Sequence, residues 1–179
     1  MTDRVCTYAD AVREAIVQSM EADPSVVVYG LDVTDFKGIY GTTLGLEQQF
    51  GSGRVFSTPL SEDAMTGVGI GMALAGLRPV HTHIRMDFTL LGMNQLVNMA
   101  AKLHYMSGGQ VKVPLVVRSI IGKSWGQGAQ HSQGLHGLFA QIPGLKVIAP
   151  TTPYDAKGCL IEAIQEDNPV MFVEHRLLH

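Results

Sequence analysis

Short apolar runs alternate with helical patterns along this chain, and that alternation limits the folds open to it. Each run contains valine, and the runs fall at residues 25–29, 54–57, 79–84, 113–120, 146–149 and 169–174. Continuous apolar runs of this length are typical of strands that are buried on both faces. Because helical segments separate the runs, the sequence predicts an α/β fold, a three-layer sandwich around a mostly parallel sheet, in a single domain over residues 1–179.

The segments between the runs carry helix signals. Thr7 is placed to cap a first helix that ends before Asp23-Pro24, and residues 31–43 have no period and predict a long loop. Further helices are expected at residues 44–50, 65–76, 89–106, from the loop at 122–133 to about residue 141, and 153–166.

Composition excludes several classes of protein. The chain is 46% hydrophobic and 16% charged, as globular domains are, and its net charge of −3 gives no reason to expect a nucleic-acid partner. No apolar run approaches the roughly 18 residues of a membrane helix. The first six residues lack the apolar core of a signal peptide, so a cytoplasmic location is expected.

One predicted helix has an unusually high content of glycine and other small residues. Thr58-Pro59-Leu60-Ser61-Glu62-Asp63-Ala64 leads into a segment crowded with small residues, including Gly67, Gly69 and Gly71. Each interior glycine costs a helix about 1 kcal/mol relative to alanine. A chain accepts that cost where a ligand or another backbone comes close, and a tightly packed core helix is the alternative.

Three polar segments follow predicted strands and are expected to meet. Parallel sheets gather ligands beyond the carboxyl ends of their strands. The loop with Glu62, the segment Arg85-Met86-Asp87-Phe88 and the loop Gly128-Ala129-Gln130-His131-Ser132-Gln133 all fall there. His131 is an acid/base candidate because a histidine titrates near neutral pH. Glu62 is either a functional carboxylate or an acid that only favours the helix dipole, by about 0.3–1 kcal/mol.

Other chemistries fit the residues less well. The glycines at 67, 69 and 71 lie inside a helix, whereas a dinucleotide fingerprint needs them at the strand-to-helix turn. His81-x-His83 resembles a pair of metal ligands but lacks a third ligand at matching spacing. His136 competes with His131 as an acid/base group, and no nucleophile elbow of the Gly-x-Ser-x-Gly type is present.

Taken together, these stretches resemble a known family. The chain is similar to the beta subunit of the decarboxylating component of 2-oxo acid dehydrogenase complexes of the pyruvate, acetoin and branched-chain type. The similarity is to the N-terminal half of that subunit, the pyrimidine-binding domain shared with transketolases. The matching blocks are Thr58-Pro59-Leu60-Ser61-Glu62, residues 67–79, 100–102 with 105–109, 128–133, 143–147, 155–158 and 167–170.

The resemblance implies thiamine diphosphate as cofactor. Glu62 matches the glutamate that hydrogen-bonds the pyrimidine ring nitrogen and favours the imino form, which deprotonates the thiazolium carbon. A carboxylate in a dry, apolar pocket has a raised proton affinity and can share a proton with the pyrimidine ring nitrogen. Phe88 matches an aromatic that stacks on the pyrimidine, Leu60 matches a position in the cofactor site, and His131 matches a histidine near the thiazolium that assists proton transfer or reductive acylation of the lipoyl group.

The resemblance also implies ions and partners. A potassium site of main-chain oxygens would match Leu115, Ala163, Glu166 and Asn168. The diphosphate and its Mg²⁺ belong to an alpha subunit in this family, because the Gly-Asp-Gly motif with a distant Asn-Asn pair is absent here. The implied assembly is a heterotetramer with two beta subunits in contact, bound to a lipoyl acyltransferase core.

The sequence departs from the family pattern at two places. Leu31, followed by Asp32, stands where members often have an acid directly after the glycine matched by Gly30. The family's C-terminal domain is not in this sequence, so a truncated or naturally split subunit is expected, inactive without its partner.

The expected activity is therefore decarboxylation of a 2-oxo acid with acyl transfer to lipoamide. The alternatives are a split transketolase or deoxyxylulose-type synthase subunit, and a non-catalytic assembly module. The identity of the 2-oxo acid does not follow from these residues.

Overall fold

A six-stranded sheet, in which every strand is parallel to its neighbours, forms the centre of the computed structural model, which describes residues 4–123 and 126–179. The strands lie side by side in the order β2-β1-β3-β4-β6-β5. Their bounds are β1 Val26–Gly30, β2 Val55–Ser57, β3 Arg78–His83, β4 Val116–Ile121, β5 Lys146–Ile148 and β6 Val170–His175. The prediction of an α/β fold with a parallel sheet is confirmed. Ser124 and Trp125 of the predicted glycine-rich loop, and the first three residues, lie outside the described residues.

Helices cover both faces of the sheet. They are α1 Tyr8–Ala22, α2 Leu46–Phe50, α3 Glu62–Leu74, α4 Ala101–Met106, α5 His136–Phe139 and α6 Pro153–Gln165. On one face α1 and α6 share a core with Val28, Val80 and Phe172. On the other face α3, α4 and α5 pack around Leu115 and Met171. Within the described ranges, none of the helices has the length and apolar character that crossing a bilayer requires.

Two helices begin with a threonine side-chain cap, of which the one at Thr7 was predicted from the sequence. Thr7 Oγ1 accepts a hydrogen bond from the Asp10 amide at 3.1 Å at the start of α1, and Thr152 Oγ1 accepts one from the Asp155 amide at 3.1 Å before α6. At the other end of α6, the Arg78 guanidinium donates to the carbonyl oxygens of the last turn. Both ends of α6 therefore have partners for main-chain groups that a helix leaves unpaired.

The predicted helix over residues 89–106 is not regular. It begins as 3-10 turns at Met86–Gly92, continues as π-helical turns at Asn94–Ala100 and becomes α-helical only in α4. Thr89 Oγ1 donates to the Met86 carbonyl at 2.6 Å, and a Cβ at Gly92 would lie 2.9 Å from Thr66 Oγ1 of α3. Close packing on α3 therefore sets the path of this segment. The helix predicted to reach about residue 141 is also shorter, since α5 ends at Phe139.

The glycines of α3 make room for other parts of the chain. Tyr29 Oη donates to the Met65 carbonyl at 2.9 Å, and its ring is stacked between His81 and Phe56, with centroids 4.4 and 5.7 Å away. A Cβ on Gly69 would lie 2.1 Å from that hydroxyl oxygen. At this position the close approach expected from the sequence is made by a tyrosine of β1.

We predict that Gly69→Ala lowers the free energy of unfolding by about 1–3 kcal/mol, because the clamped Tyr29 ring cannot move away from the added methyl group. The matched control is Gly71→Ala in the same helix, where an added Cβ has no neighbour within 4 Å. That variant should gain up to about 1 kcal/mol from better helix propensity. Urea unfolding followed by circular dichroism measures both, and equal stabilities of the two variants would contradict the assignment.

Candidate active site

A cleft of about 580 Å³ opens beyond the carboxyl ends of the central strands. The loop after β2, the end of β3 with the residues that follow it, and the loop after β4 line this cleft. The sequence-predicted residues Leu60, Glu62, Phe88 and His131 all lie in its wall. The three segments expected to meet are thus brought together by the topology.

Glu62 is the first residue of α3 and is half-buried in the cleft wall. Its main-chain oxygen accepts a hydrogen bond from Thr66 Oγ1 at 2.7 Å. Its carboxylate, in contrast, makes no hydrogen bond or ion pair within residues 4–123 and 126–179. The side chain can therefore accept or share a proton with a group that enters the cleft.

Phe88 and His131 contact each other across the cleft. Their ring centroids are 5.1 Å apart with an interplanar angle of 74°, an edge-to-face contact. Asp87 holds the two segments in this relation, because its Oδ1 accepts hydrogen bonds from the amide and the Nε2 of Gln133, at 3.2 and 2.8 Å. Asp87 and Gln133 belong to two of the segments that were expected to meet, but the bond between them was not predicted from the sequence.

Leu60 and Leu31 shape the mouth of the cleft. Leu60 is 72% exposed, and Leu31 is half-buried where members of the resembling family often carry an acid. Asp32 also lines the cleft and is exposed, with a left-handed backbone at φ 55°. A carboxylate is therefore present near this position, one residue later and more exposed.

His81 and His83 form a buried pair at the base of the cleft, with centroids 4.2 Å apart. Burial lowers the pKa of His83 to about 4, and burial together with the adjacent His83 holds the pKa of His81 well below its usual range. His81 Nδ1 and His83 Nε2 have no hydrogen-bond partner among the described residues. No third histidine, cysteine or acid joins them as a metal cluster in that part of the chain.

Two arginines sit beside the cleft. Arg85 donates from Nε and Nη2 to Gln127 Oε1, at 3.0 and 2.7 Å, and Arg176 Nη1 donates to the same oxygen at 2.6 Å. Arg176 also lies over the Tyr40 ring. Burial, and then the charge of Arg85, lowers the pKa of Arg176. Arg85 was expected near the ligand as part of the segment after β3, but its link to Gln127 and Arg176 was not predicted, because the three residues come from distant segments.

The residues matched to a potassium site lie away from the cleft, around the turn between α6 and β6. Ala163 is in α6, Glu166 and Asn168 follow it, and Leu115 is tied to this turn because its carbonyl accepts the Val170 amide at 2.9 Å. Glu166 Oε1 accepts from Asn168 Nδ2 at 2.8 Å, and the Glu166 carbonyl accepts from Arg78 at 3.1 Å. The four positions are close together, and a guanidinium already contacts one of the four carbonyl oxygens.

Comparison with protein families finds one match that covers nearly the whole chain. The family described as "Transketolase, pyrimidine binding domain" matches residues 4–179. Two solved structures share the fold at 18% identity: a split gene transketolase, an inactive beta4 tetramer (TM-score 0.76, over 96% of this chain and 52% of that one), and a transketolase from Leishmania mexicana (TM-score 0.74, over 92% and 24%).

Curated relatives are more similar in sequence. Pyruvate dehydrogenase E1 component subunit beta-4, chloroplastic, of Oryza sativa subsp. japonica is 47% identical over 95% of this chain and 42% of its own length. The pyruvate dehydrogenase E1 component subunit beta of Rickettsia bellii is 44% identical over 97% and 53%. The chain spans about half the length of the curated relatives it matches.

We predict that the buried histidines make the fold sensitive to mild acid. A neutral His83 stabilises the fold fully above about pH 6.5, and this stability is lost as pH falls towards the folded-state pKa of about 4. The difference between the usual histidine pKa and the folded-state pKa of His83 corresponds to roughly 3 kcal/mol. Urea unfolding measures the free energy of unfolding at pH 7 and at pH 4.5. The decrease between the two pH values should be about 2 kcal/mol smaller in His83→Phe than in the wild type.

His104→Phe, at an exposed position on α4, is the control for loss of a histidine as such. If the free energy of unfolding falls by the same amount in the wild type and in His83→Phe, His83 is not the group that causes the sensitivity to acid.

Proposed function

The chain belongs to the transketolase pyrimidine-binding domain family, and we propose that it forms the pyrimidine-binding part of a thiamine-diphosphate-dependent 2-oxo acid dehydrogenase. The observation that carries the proposal is the cleft itself, where Glu62, with its unengaged carboxylate, shares a wall with Phe88 and His131. The pyruvate dehydrogenase beta subunits that are 44–47% identical support this activity over that of a transketolase.

The residues present suit the pyrimidine end of the cofactor. Glu62 offers a carboxylate to a ring nitrogen, Phe88 offers an aromatic surface, and Leu60 and Leu91 add apolar walls. When bound, thiamine diphosphate supplies a nucleophilic carbon and takes up the electrons released by decarboxylation. A flat, partly apolar ring with one hydrogen-bonding edge fits a cleft of this composition.

Two side chains are assigned proton transfers. Glu62 holds the proton that it shares with the pyrimidine ring nitrogen, at the N-terminus of α3. His131 donates or accepts a proton at the substrate and lipoyl side, because its ring edge contact with Phe88 places it next to the aromatic surface. Asp87 keeps the His131 loop against the Phe88 segment and is thus a positioning residue.

The site needs a second subunit, which we take to be an alpha subunit with the diphosphate and Mg²⁺. The exposed side of α3 and the neighbouring segment carry Val68, Leu74 and Leu91, which are 45%, 52% and 62% exposed. An apolar surface next to the cleft suits burial against a partner. Contacts between beta subunits, a lipoyl acyltransferase core, a potassium ion at the turn after α6 and a cytoplasmic location remain parts of this proposal.

Two other functions stay as alternatives. A split transketolase would use the same fold to transfer ketol groups, and an assembly module would use no cofactor at all. Titration of thiamine diphosphate into the chain with its alpha partner separates the assembly module from both enzymes, because only the enzymes require binding. A 2-oxo acid and lipoamide assay then separates the two enzymes.

Glu62→Gln should lower the turnover of the reconstituted alpha–beta enzyme at least 100-fold, because an amide cannot exchange the proton that the carboxylate shares with the ring. Cofactor affinity is expected to fall much less, and the unfolding transition should be unchanged. Asp63→Asn, one residue further along α3 and exposed, is the matched control and should keep wild-type turnover. Wild-type turnover in Glu62→Gln would refute the assigned role.

His131→Ala should impair reductive acylation of lipoamide more than cofactor binding. We assign the imidazole, which contacts the edge or face of Phe88, to the substrate side, so its loss should remove a proton donor rather than a cofactor contact. Single-turnover acylation and cofactor titration measure the two effects separately, with His104→Ala as control. Equal losses in both assays would indicate a structural role for His131.

A further inference from the structure

Arg85 is a buried cation whose partners in the described structure are neutral. It is 8% exposed, it lines the cleft, and its guanidinium donates to Gln127 Oε1 and to the Ile84 carbonyl. None of the ion pairs among residues 4–123 and 126–179 includes it. A buried charge with only neutral partners is expensive, and a ligand with the opposite charge would lower that cost.

A second guanidinium meets the same oxygen atom. Arg176, which is 6% exposed, donates from Nη1 to Gln127 Oε1 at 2.6 Å, and Arg85 Nη2 reaches that atom from 2.7 Å. Two cations thus share one uncharged acceptor at the side of the cleft. The mutual repulsion of like charges at this separation is relieved when an anion binds between or beside them.

The nearby acids do not neutralise Arg85. Asp87 is buried and directs its Oδ1 to the amide and side chain of Gln133. Asp32 lies in the cleft wall and is exposed. Neither forms an ion pair with Arg85. Glu62, the other carboxylate of the cleft wall, does not bond to Arg85 either, so no carboxylate among the described residues pairs with this guanidinium.

We propose that Arg85, Gln127 and Arg176 form a subsite for a second anionic group of the substrate, and that the substrate is a 2-oxo acid with a terminal carboxylate. This inference rests on the proposed function and names the substrate class of the same cleft. A guanidinium is planar and matches a carboxylate with two parallel hydrogen bonds, which favours a carboxylate over a spherical anion.

The reacting carboxylate of a 2-oxo acid is a poorer occupant. It leaves as carbon dioxide and loses its charge during the reaction, so two guanidinium groups would stabilise the bound substrate more than the transition state. A terminal carboxylate keeps its charge throughout. A group bound through that carboxylate is held equally in the bound substrate and in the transition state. The contact therefore contributes to specificity and not to the rate of the chemical step.

Isothermal titration calorimetry on the chain without thiamine diphosphate tests the subsite directly. The probes are 2-oxoglutarate and 2-oxopentanoate, which have the same carbon chain and differ in the terminal carboxylate, with inorganic phosphate as a third probe. We expect 2-oxoglutarate to bind at least 10-fold more tightly than 2-oxopentanoate and more tightly than phosphate. Arg85→Gln should abolish this preference, whereas Arg4→Gln, which removes an exposed arginine, should retain it.

Arg85→Lys is the control for misfolding, because it keeps the charge and removes only the planar guanidinium group. It should retain part of the preference for 2-oxoglutarate and a wild-type circular dichroism spectrum. Equal affinity for the two oxo acids in the wild type, tighter binding of phosphate, or an equal loss in Arg4→Gln and Arg85→Gln would overturn the proposal. Failure of the proposed function has a different signature: 2-oxoglutarate binds as described, but the alpha–beta complex does not bind thiamine diphosphate.

Discussion

A fully buried ion pair between Arg118 and Glu174 joins β4, which leads into the loop with His131, to its neighbour β6. Arg118 Nε and Nη2 donate to the two carboxylate oxygens, at 2.6 and 2.8 Å, from neighbouring strands β4 and β6. Although burial acts to raise the pKa of Glu174, Arg118 and then His179 hold it down to about 2. Removing one partner of such a pair costs about 3–5 kcal/mol, because the other charge is left buried. Arg118 Nη2 also donates to Thr42 Oγ1, which ties the long loop after β1 to the same centre. One electrostatic contact therefore ties β4, which leads into the loop with His131, to β6 and to the loop after β1.

Local sequence patterns sufficed for the sheet and for several helix ends. A run that contains valine marked each of the six strands, because strands that are buried on both faces are largely apolar. Thr7 marked the start of α1 because its capping bond is made within three residues. The segment from Met86 to Ala100 could not be predicted in this way. Its 3-10 and π-helical turns follow from packing of Gly92 on Thr66, a contact between residues that are far apart in sequence.

The same division applies to the site. Glu62, Phe88 and His131 were predicted as site residues because family motifs and the strand-end rule both point to them, and all three line the cleft. Arg85 and Asp87 were expected in the segment after β3, but their bonds to Gln127 and Gln133, and the contact with Arg176, were not predicted, because these partners lie more than forty residues away in the chain. The glycines of α3 indicated that some other group lies close to this helix, but they did not show which group it is. At Gly69 the cause is the hydroxyl group of Tyr29, whereas a Cβ added at the exposed Gly71 would have no neighbour within 4 Å.

The hydrogen bond from Tyr29 to the Met65 carbonyl has an evolutionary consequence. It connects the sheet to the first turn of the helix that begins with Glu62, so the position of that carboxylate is set by the length of a phenol side chain. Positions 29, 69 and 81 then form one steric unit, in which the tyrosine needs both the missing side chain at Gly69 and the flat ring of His81. A lineage that gained a methyl group at position 69 would need a smaller residue at position 29 in compensation. Substitutions at these three positions should therefore be found together rather than singly.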